Sequence, residues 1–589
     1  MTMTIRALLC AALVCHLSIL AGRGQYASPS AIPPSDAPRF QRQVDNTTLL
    51  ASSAPTSEIP HLQRQGATTR LIVDGKPYLA LAGELNNDSA TSLEFVRRLW
   101  PKIVEAKINT VLAGVSWNQI ERQEGKFDFS VLDGVIQGAR SHNVRLVLLW
   151  FASWKNSLSS YPPDWVKKDF DRFPRAKTKA GKTVELLSPM SDANRDADAR
   201  AFAALMRHVR EVDGREHTVI MIQVENEVGM DGDSRDHSPA ADQAYAGPVP
   251  KELMDYLQQH KESLIPEFRK VWEAAGFKTS GTWEEVFGPG AGTEGIFMAW
   301  HYARYLDRVA EAGKNEYPLP MFLNVALYSV GRTAFPPSGG RPWDLVMDVW
   351  KAGAPRIDFL APDAYNDFAA FCVKYSRPGN PLFIPESLNG AVGAARVLYA
   401  FGHSDAIGFS AMGAVERSNI PDTDLITSYD LIEQLAPLIS QHQGDGSMSA
   451  VLLGPDDPPQ KVQVGNYILT VSFVKPRVAP LTQPTPIPPN TFAAGIFIAS
   501  GPDEYFVTGL GIKITFAPNT PGPPYAGLAT VEEGSFVDGR WVPGRMLAGD
   551  STDEGQSIGI SWPQGSWVPV YRQRSSPDAI QRVTLYRYR

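Results

Sequence analysis

Cysteine is nearly missing from this chain. Three occur in 589 residues; Cys10 and Cys15 fall inside the first apolar run, which leaves Cys372 by itself. A single thiol makes neither an internal disulfide nor a cysteine-based zinc site. Its neighbours Phe371 and Val373 read as a packed helix, with Cys372 as core filler. Basic excess is also lacking: 56 Lys and Arg stand against 63 Asp and Glu, a net charge of −7. No field is present to draw in nucleic acid or anionic lipid. The first apolar run is too short to span a bilayer, and after residue 21 no segment approaches 18 uninterrupted apolar residues, so the mature chain is expected to be soluble. No His-x-x-x-His pair and no carboxylate run with ligand spacing occurs, and His217 and His301 read as residues of element ends or helices. The expected chemistry therefore uses no metal and no cofactor.

What is present begins with a leader. Arg6 precedes the apolar stretch Ala7 to Ala21 and a polar Gly-Arg-Gly-Gln segment, the pattern of a secretory signal over residues 1–24. Residues 25–62 are rich in Ser, Pro, Ala and Thr without apolar periodicity and read as a flexible linker. The expected location is outside the cytoplasm, extracellular or periplasmic. Asn46-Thr-Thr48 and Asn87-Asp-Ser89 are glycosylation sequons in a eukaryotic host.

From there short apolar runs alternate with helical patterns. The runs are 78–83, 108–114, 144–150, 218–224, 320–325, 357–361, 381–385 and 406–410. Helical patterns intervene, among them 93–106, 129–142, 196–212 and 295–312. Nearly continuous apolar strands separated by helices mean a parallel sheet covered on both sides. Eight such units predict an α/β fold, a (β/α)8 TIM barrel over residues 63–442. An open doubly wound sheet is the other candidate, but no Gly-x-Gly-x-x-Gly opens the first βα turn. Residues 231–294 form a polar insertion or lid on the rim, with a helix over 251–275. Past a Gly- and Pro-rich linker, residues 450–589 carry short strand patterns and predict an all-β sandwich serving chiefly as packing support.

Reactive groups of a barrel lie at the carboxyl ends of its strands. The fourth run leads into Glu225-Asn226-Glu227 and the seventh into Glu386-Ser387. A carboxylate at the end of an apolar strand is costly to bury unless used or paired. Two facing each other across a barrel mouth are the equipment of glycoside hydrolysis, one protonating the leaving oxygen and one attacking the anomeric carbon or activating water. The segment Gln223-Val-Glu-Asn-Glu-Val-Gly229 resembles the corresponding segment of the glycoside hydrolase family 35 β-galactosidases. Trp117 to Glu121, Glu124 to Phe129, Leu149 to Lys155 and Ala361 to Tyr365 extend the resemblance through residues 65–440, and the sandwich resembles that of the family's smaller microbial branch.

The resemblance implies a secreted retaining β-galactosidase acting on chain ends of oligo- or polysaccharides. Glu227 is then the acid/base and Glu386 the nucleophile, and Asn226 contacts the sugar 2-hydroxyl. Esterification of Glu386 removes its charge and lets Glu227 change from acid to base. Tyr365 is placed to orient the nucleophile, and Trp154, with Trp150, to form an aromatic wall. Glu84 either contacts sugar or is a buried partner, and Glu225 pairs inside the barrel. Two departures bear on galactose recognition: Ala152-Ser153-Trp154 stands where the family has Ala-Glu-Trp, and Gly83-Glu-Leu-Asn-Asn87 replaces its first-strand pattern. Two alternatives stay open: a β-glycosidase or endo-β-glycanase for another sugar, and a non-catalytic carbohydrate-binding protein.

Overall fold

The computed structural model describes residues 58–326, 339–416, 422–475, 487–488, 490–562 and 580–589. The signal, most of the leader, Asn46 and the expected strand 567–572 lie outside these. Eight parallel strands follow the eight apolar runs: β1 Ala80–Glu84, β2 Thr110–Ser116, β3 Arg145–Lys155, β4 Val219–Asn226, β5 Met321–Val325, β6 Phe359–Pro362, β7 Phe383–Ser387 and β8 Gly408–Met412. They pair in the order β6-β5-β4-β3-β2-β1-β8-β7. The remaining seam is closed between β6 and β7 by a parallel bridge from Asp363 to Glu386, where Ala364 N donates to Glu386 O at 2.8 Å. Lower on that seam the Asn380 side chain bonds both the N–H and the C=O of Leu360, at 2.9 and 3.0 Å. The chain therefore folds as a (β/α)8 barrel.

Small and flat residues fill the barrel interior because eight strands leave room for little else. Ala80, Ala82, Leu112, Val147, Leu149 and Phe151 form one buried cluster with Phe322, Phe359 and Phe383. The Phe322 ring stacks on Phe359 at 5.2 Å and meets Phe383 edge-on at 5.2 Å. Leu71 and Val73 join this cluster from an antiparallel three-stranded sheet spanning His61–Tyr78, which plugs the amino-terminal end of the barrel. That sheet corrects the expected linker boundary at residue 62: Asp74 anchors it, accepting from Arg145 Nη2 at 2.6 Å and lying 2.9 Å from His217 Nδ1.

Outside the barrel the long helices are α1 Ser130–Ser141, α2 Asp192–Asp213, α3 Ala291–Glu316, α4 Gly390–His403 and α5 Thr423–His442. Cys372 is buried in the helix Phe368–Tyr375, and the half-buried His301 lies on α3 with its pKa pushed down to about 4 by desolvation. The insertion helix expected over 251–275 is two helices, Lys251–Gln259 and Pro266–Ala274, since proline starts a helix far more readily than it continues one. Ile265 N donates to Asp348 Oδ2 at 2.7 Å, which fastens the insertion to the outer helix Met347–Gly353. No helix of the described residues is long and apolar enough to cross a membrane.

Beyond residue 448 two antiparallel sheets, of six and four strands, form the sandwich. It packs on the last barrel helices: a Cβ at Gly402 of α4 would stand 2.8 Å from Ala450 and 2.9 Å from Ile496. Phe536 N donates to Gln434 Oε1 of α5 at 3.1 Å.

Candidate active site

The strand-four end is shaped by two left-handed residues. Glu225 has φ 61° and Glu227 has φ 47°, conformations that cost a non-glycine residue about 1 kcal/mol or more and persist where surrounding contacts hold them. The alternation turns three successive side chains in three directions. Glu225 points back to β3, whose pairing with β4 is interrupted between Trp150 and Lys155. Its carboxyl accepts from Ser153 N at 2.8 Å, Trp154 N at 2.7 Å and Ala152 N at 3.3 Å, replacing the missing ladder bonds. Burial, and then Asp198 beside it, hold the Glu225 carboxyl well above its usual range. Glu225 is thus a buried, paired carboxyl as expected, but its partners are the β3 backbone and Asp198 of α2, between strand and helix layer, and not the barrel interior.

Asn226 turns toward the mouth. Its Oδ1 accepts from Lys155 Nζ at 2.8 Å, and its amide is turned toward Glu386. Glu227 N donates to Asn324 Oδ1 at 2.8 Å, and Asn324 Nδ2 donates to Asp363 Oδ2 at 2.9 Å. Across the barrel Tyr365 donates its hydroxyl to Glu386 Oε2 at 2.7 Å. Residues 159 positions apart in the sequence are thus neighbours: Glu227 raises the pKa of Glu386, an effect second only to burial and opposed by Tyr365, Lys155 and Asn226. Both carboxyl groups are half-buried, open enough to meet a ligand.

Two more carboxyl groups stand behind them. Glu84 at the end of β1 and Asp363 just past β6 are buried. Burial first, then Glu386, hold both well above the ordinary carboxyl range; Lys155 opposes this at Glu84. Glu84 is therefore a member of the site cluster, and among the described residues no donor reaches its Oε2. Sequence reasoning did not single out Lys155, Asn324 or Asp363. A polar residue inside or just past an apolar strand was their available signal. Among the described residues no group of His, Cys, Asp and Glu has the arrangement to hold a metal ion.

Trp154 is not a wall of the site. Its indole is 0% exposed, donates to Leu187 O at 2.9 Å, and packs on Tyr302 and Tyr305 of α3 at 4.8 and 4.4 Å. Trp150 is equally enclosed, donating to Asp198 Oδ1 at 2.9 Å. Both point outward from the barrel into the helix layer. Trp154→Ala should therefore lower stability by about 3–5 kcal/mol, read as a drop in the urea midpoint, because an enclosed cavity replaces the ring. Ser153 is also buried, bonded to Asp198 Oδ2 at 2.6 Å and Tyr305 Oη at 2.7 Å. The missing carboxylate of the Ala-Ser-Trp stretch is thus missing from the core.

Two family models match the sequence. The glycoside hydrolase family 42 model, described as "Beta-galactosidase", matches residues 92–307, and a "Domain of unknown function (DUF5597)" matches residues 425–559. The likeness is thus to family 42 and corrects the resemblance to family 35. No curated protein is matched in sequence. Among solved structures, a β-galactosidase from Bacillus circulans sp. alkalophilus shares 15% identity over 61% of this chain and 57% of its own, with a TM-score of 0.42. One from Rahnella sp. R3 shares 16% over 62% and 57%, also at 0.42. The β-amylase catalytic domain from Paenibacillus polymyxa shares 13% over 57% of this chain and 91% of its own, at 0.38. This chain spans somewhat over half the length of the two β-galactosidases.

Proposed function

We propose that this chain is a secreted, retaining β-galactosidase that removes terminal β-galactosyl residues from oligo- or polysaccharides. One observation carries the reading: Glu227 and Glu386 meet at the carboxyl ends of strands four and seven, with Asn226 and Tyr365 turned onto Glu386. In this reading Glu386 attacks the anomeric carbon and forms a glycosyl ester. Glu227 gives its proton to the departing oxygen and then takes one from the water that cleaves the ester. Tyr365 keeps the attacking oxygen aimed, and Lys155 offsets the negative charge gathered around it. Galactose is the sugar supported by the likeness of residues 92–307 to a β-galactosidase family model.

The test is hydrolysis of a panel of aryl β-glycosides by the mature chain, with the product anomer followed by proton NMR. The expected result is preference for the β-galactoside, with β-galactose appearing first and free galactose released from oligosaccharide ends. Initial release of the α-anomer would overturn retention. Preference for another aryl glycoside would keep the mechanism and overturn the sugar.

A further inference from the structure

We propose that Asp363 is a positioning residue for Glu227, a neutral carboxyl that keeps its own proton and donates it in a hydrogen bond to the Glu227 carboxylate. The inference rests on the acid/base role given to Glu227 above. Its basis is an inventory of donors. Asp363 Oδ2 accepts from Asn324 Nδ2 at 2.9 Å, whereas no donor among the described residues reaches Oδ1. The Asp363 carboxyl instead meets that of Glu227. Two ionised carboxyl groups in contact repel and have no proton between them, while a protonated one supplies a donor and keeps its acceptor. Asp363 is enclosed, and the charged groups that act on it most strongly are acids: Glu386 on β7, Glu227 after β4 and Glu84 on β1. Tyr365 lies on the same side, and the nearby cation, Lys155, is directed to Asn226, Glu84 and Glu386.

Asn324 completes the clamp by holding the backbone of Glu227 and the far oxygen of Asp363 together. Glu227 is thereby fixed at its N–H and at its carboxyl. As the Glu227 proton passes to the leaving oxygen, the carboxylate left behind is already hydrogen-bonded by Asp363, whose own proton stays in place throughout. Help of this kind matters only when the leaving group needs a proton.

The experiment compares wild type, Asp363→Asn and Asp363→Ala on a dinitrophenyl and an alkyl β-galactoside, with pH profiles of kcat/KM. Asp363→Ala is expected to lose about 100-fold or more on the alkyl substrate and roughly ten-fold or less on the dinitrophenyl one, the range that positioned proton transfer supplies. Equal losses on both would assign Asp363 a purely structural role and overturn the proposal. Asp363→Asn keeps a donor without a charge and holds the fold if alanine does not. Its alkaline limb should stay within about 0.3 pH units of wild type, because a neutral group replaces a neutral group. A shift near one unit would show that a charge was removed and would equally overturn it. Failure of the wild type on every β-glycoside would instead strike the parent reading.

Discussion

Glu386→Gln should lower kcat/KM for an aryl β-galactoside by about five orders of magnitude, on the order of 7 kcal/mol of transition-state stabilisation. The amide accepts the Tyr365 hydroxyl as the carboxylate does at 2.7 Å, so the site keeps its shape while losing the atom that attacks. Stability is expected to move the other way. Burial and the facing Glu227 raise the Glu386 pKa, so between its unfolded and folded values the native state binds more protons than the unfolded one. Stability conferred by the neutral form is then lost as pH rises through that interval. Glutamine stays neutral and also relieves Glu84 and Asp363, both of which Glu386 pushes up. The variant's melting temperature should exceed wild type near neutral pH, with the gap closing toward pH 4 and below. Full activity in this variant would remove Glu386 from the mechanism; a lower melting temperature at neutral pH would mean the carboxylate is better paired than its surroundings indicate.

Glu227→Ala should divide substrates by their leaving groups. For an alkyl or sugar aglycone the loss is expected at roughly three orders of magnitude, since protonic assistance from a placed carboxyl contributes about 100- to 10,000-fold. A dinitrophenyl galactoside needs no proton on departure, so it should still esterify Glu386 and then stall, because no base remains to activate water. Added azide needs no base and should restore turnover, leaving β-galactosyl azide as the product. Mass and anomeric configuration of that product are the readout. An α-azide would mean that the nucleophile was bypassed, and equal losses across leaving groups would place the acid elsewhere.

The two catalytic carboxyl candidates were legible because each ends an apolar run, where burial is costly and use is the simplest explanation. The eight strands were legible for a related reason: a sheet covered on both faces needs unbroken apolar stretches, and these stand out between helical periods. That same lack of alternation hid direction. Within Leu149 to Trp154 every residue but Ser153 is apolar, so composition does not separate the two faces; in the fold Leu149 and Phe151 face the barrel interior while Trp150, Ala152 and Trp154 face the helix layer. Strands Tyr525–Val537 and Arg540–Met546 went unseen because few of their side chains are fully buried.

The sequence by itself determined the barrel, the sandwich after it and the acid pair on strands four and seven, because each leaves a local trace in hydrophobic spacing. The tertiary structure decided what surrounds that pair. Lys155, Asn324 and Asp363 are ordinary polar residues in the sequence; they acquire meaning when β3, β5 and the turn after β6 bring them against Asn226, Glu227 and Glu386. Closure of the barrel through Asp363 and Glu386 is likewise a long-range event that no local pattern encodes. Hydrophobic periodicity is a property of neighbours in the chain, whereas the charge and donor balance of a site is a property of neighbours in space.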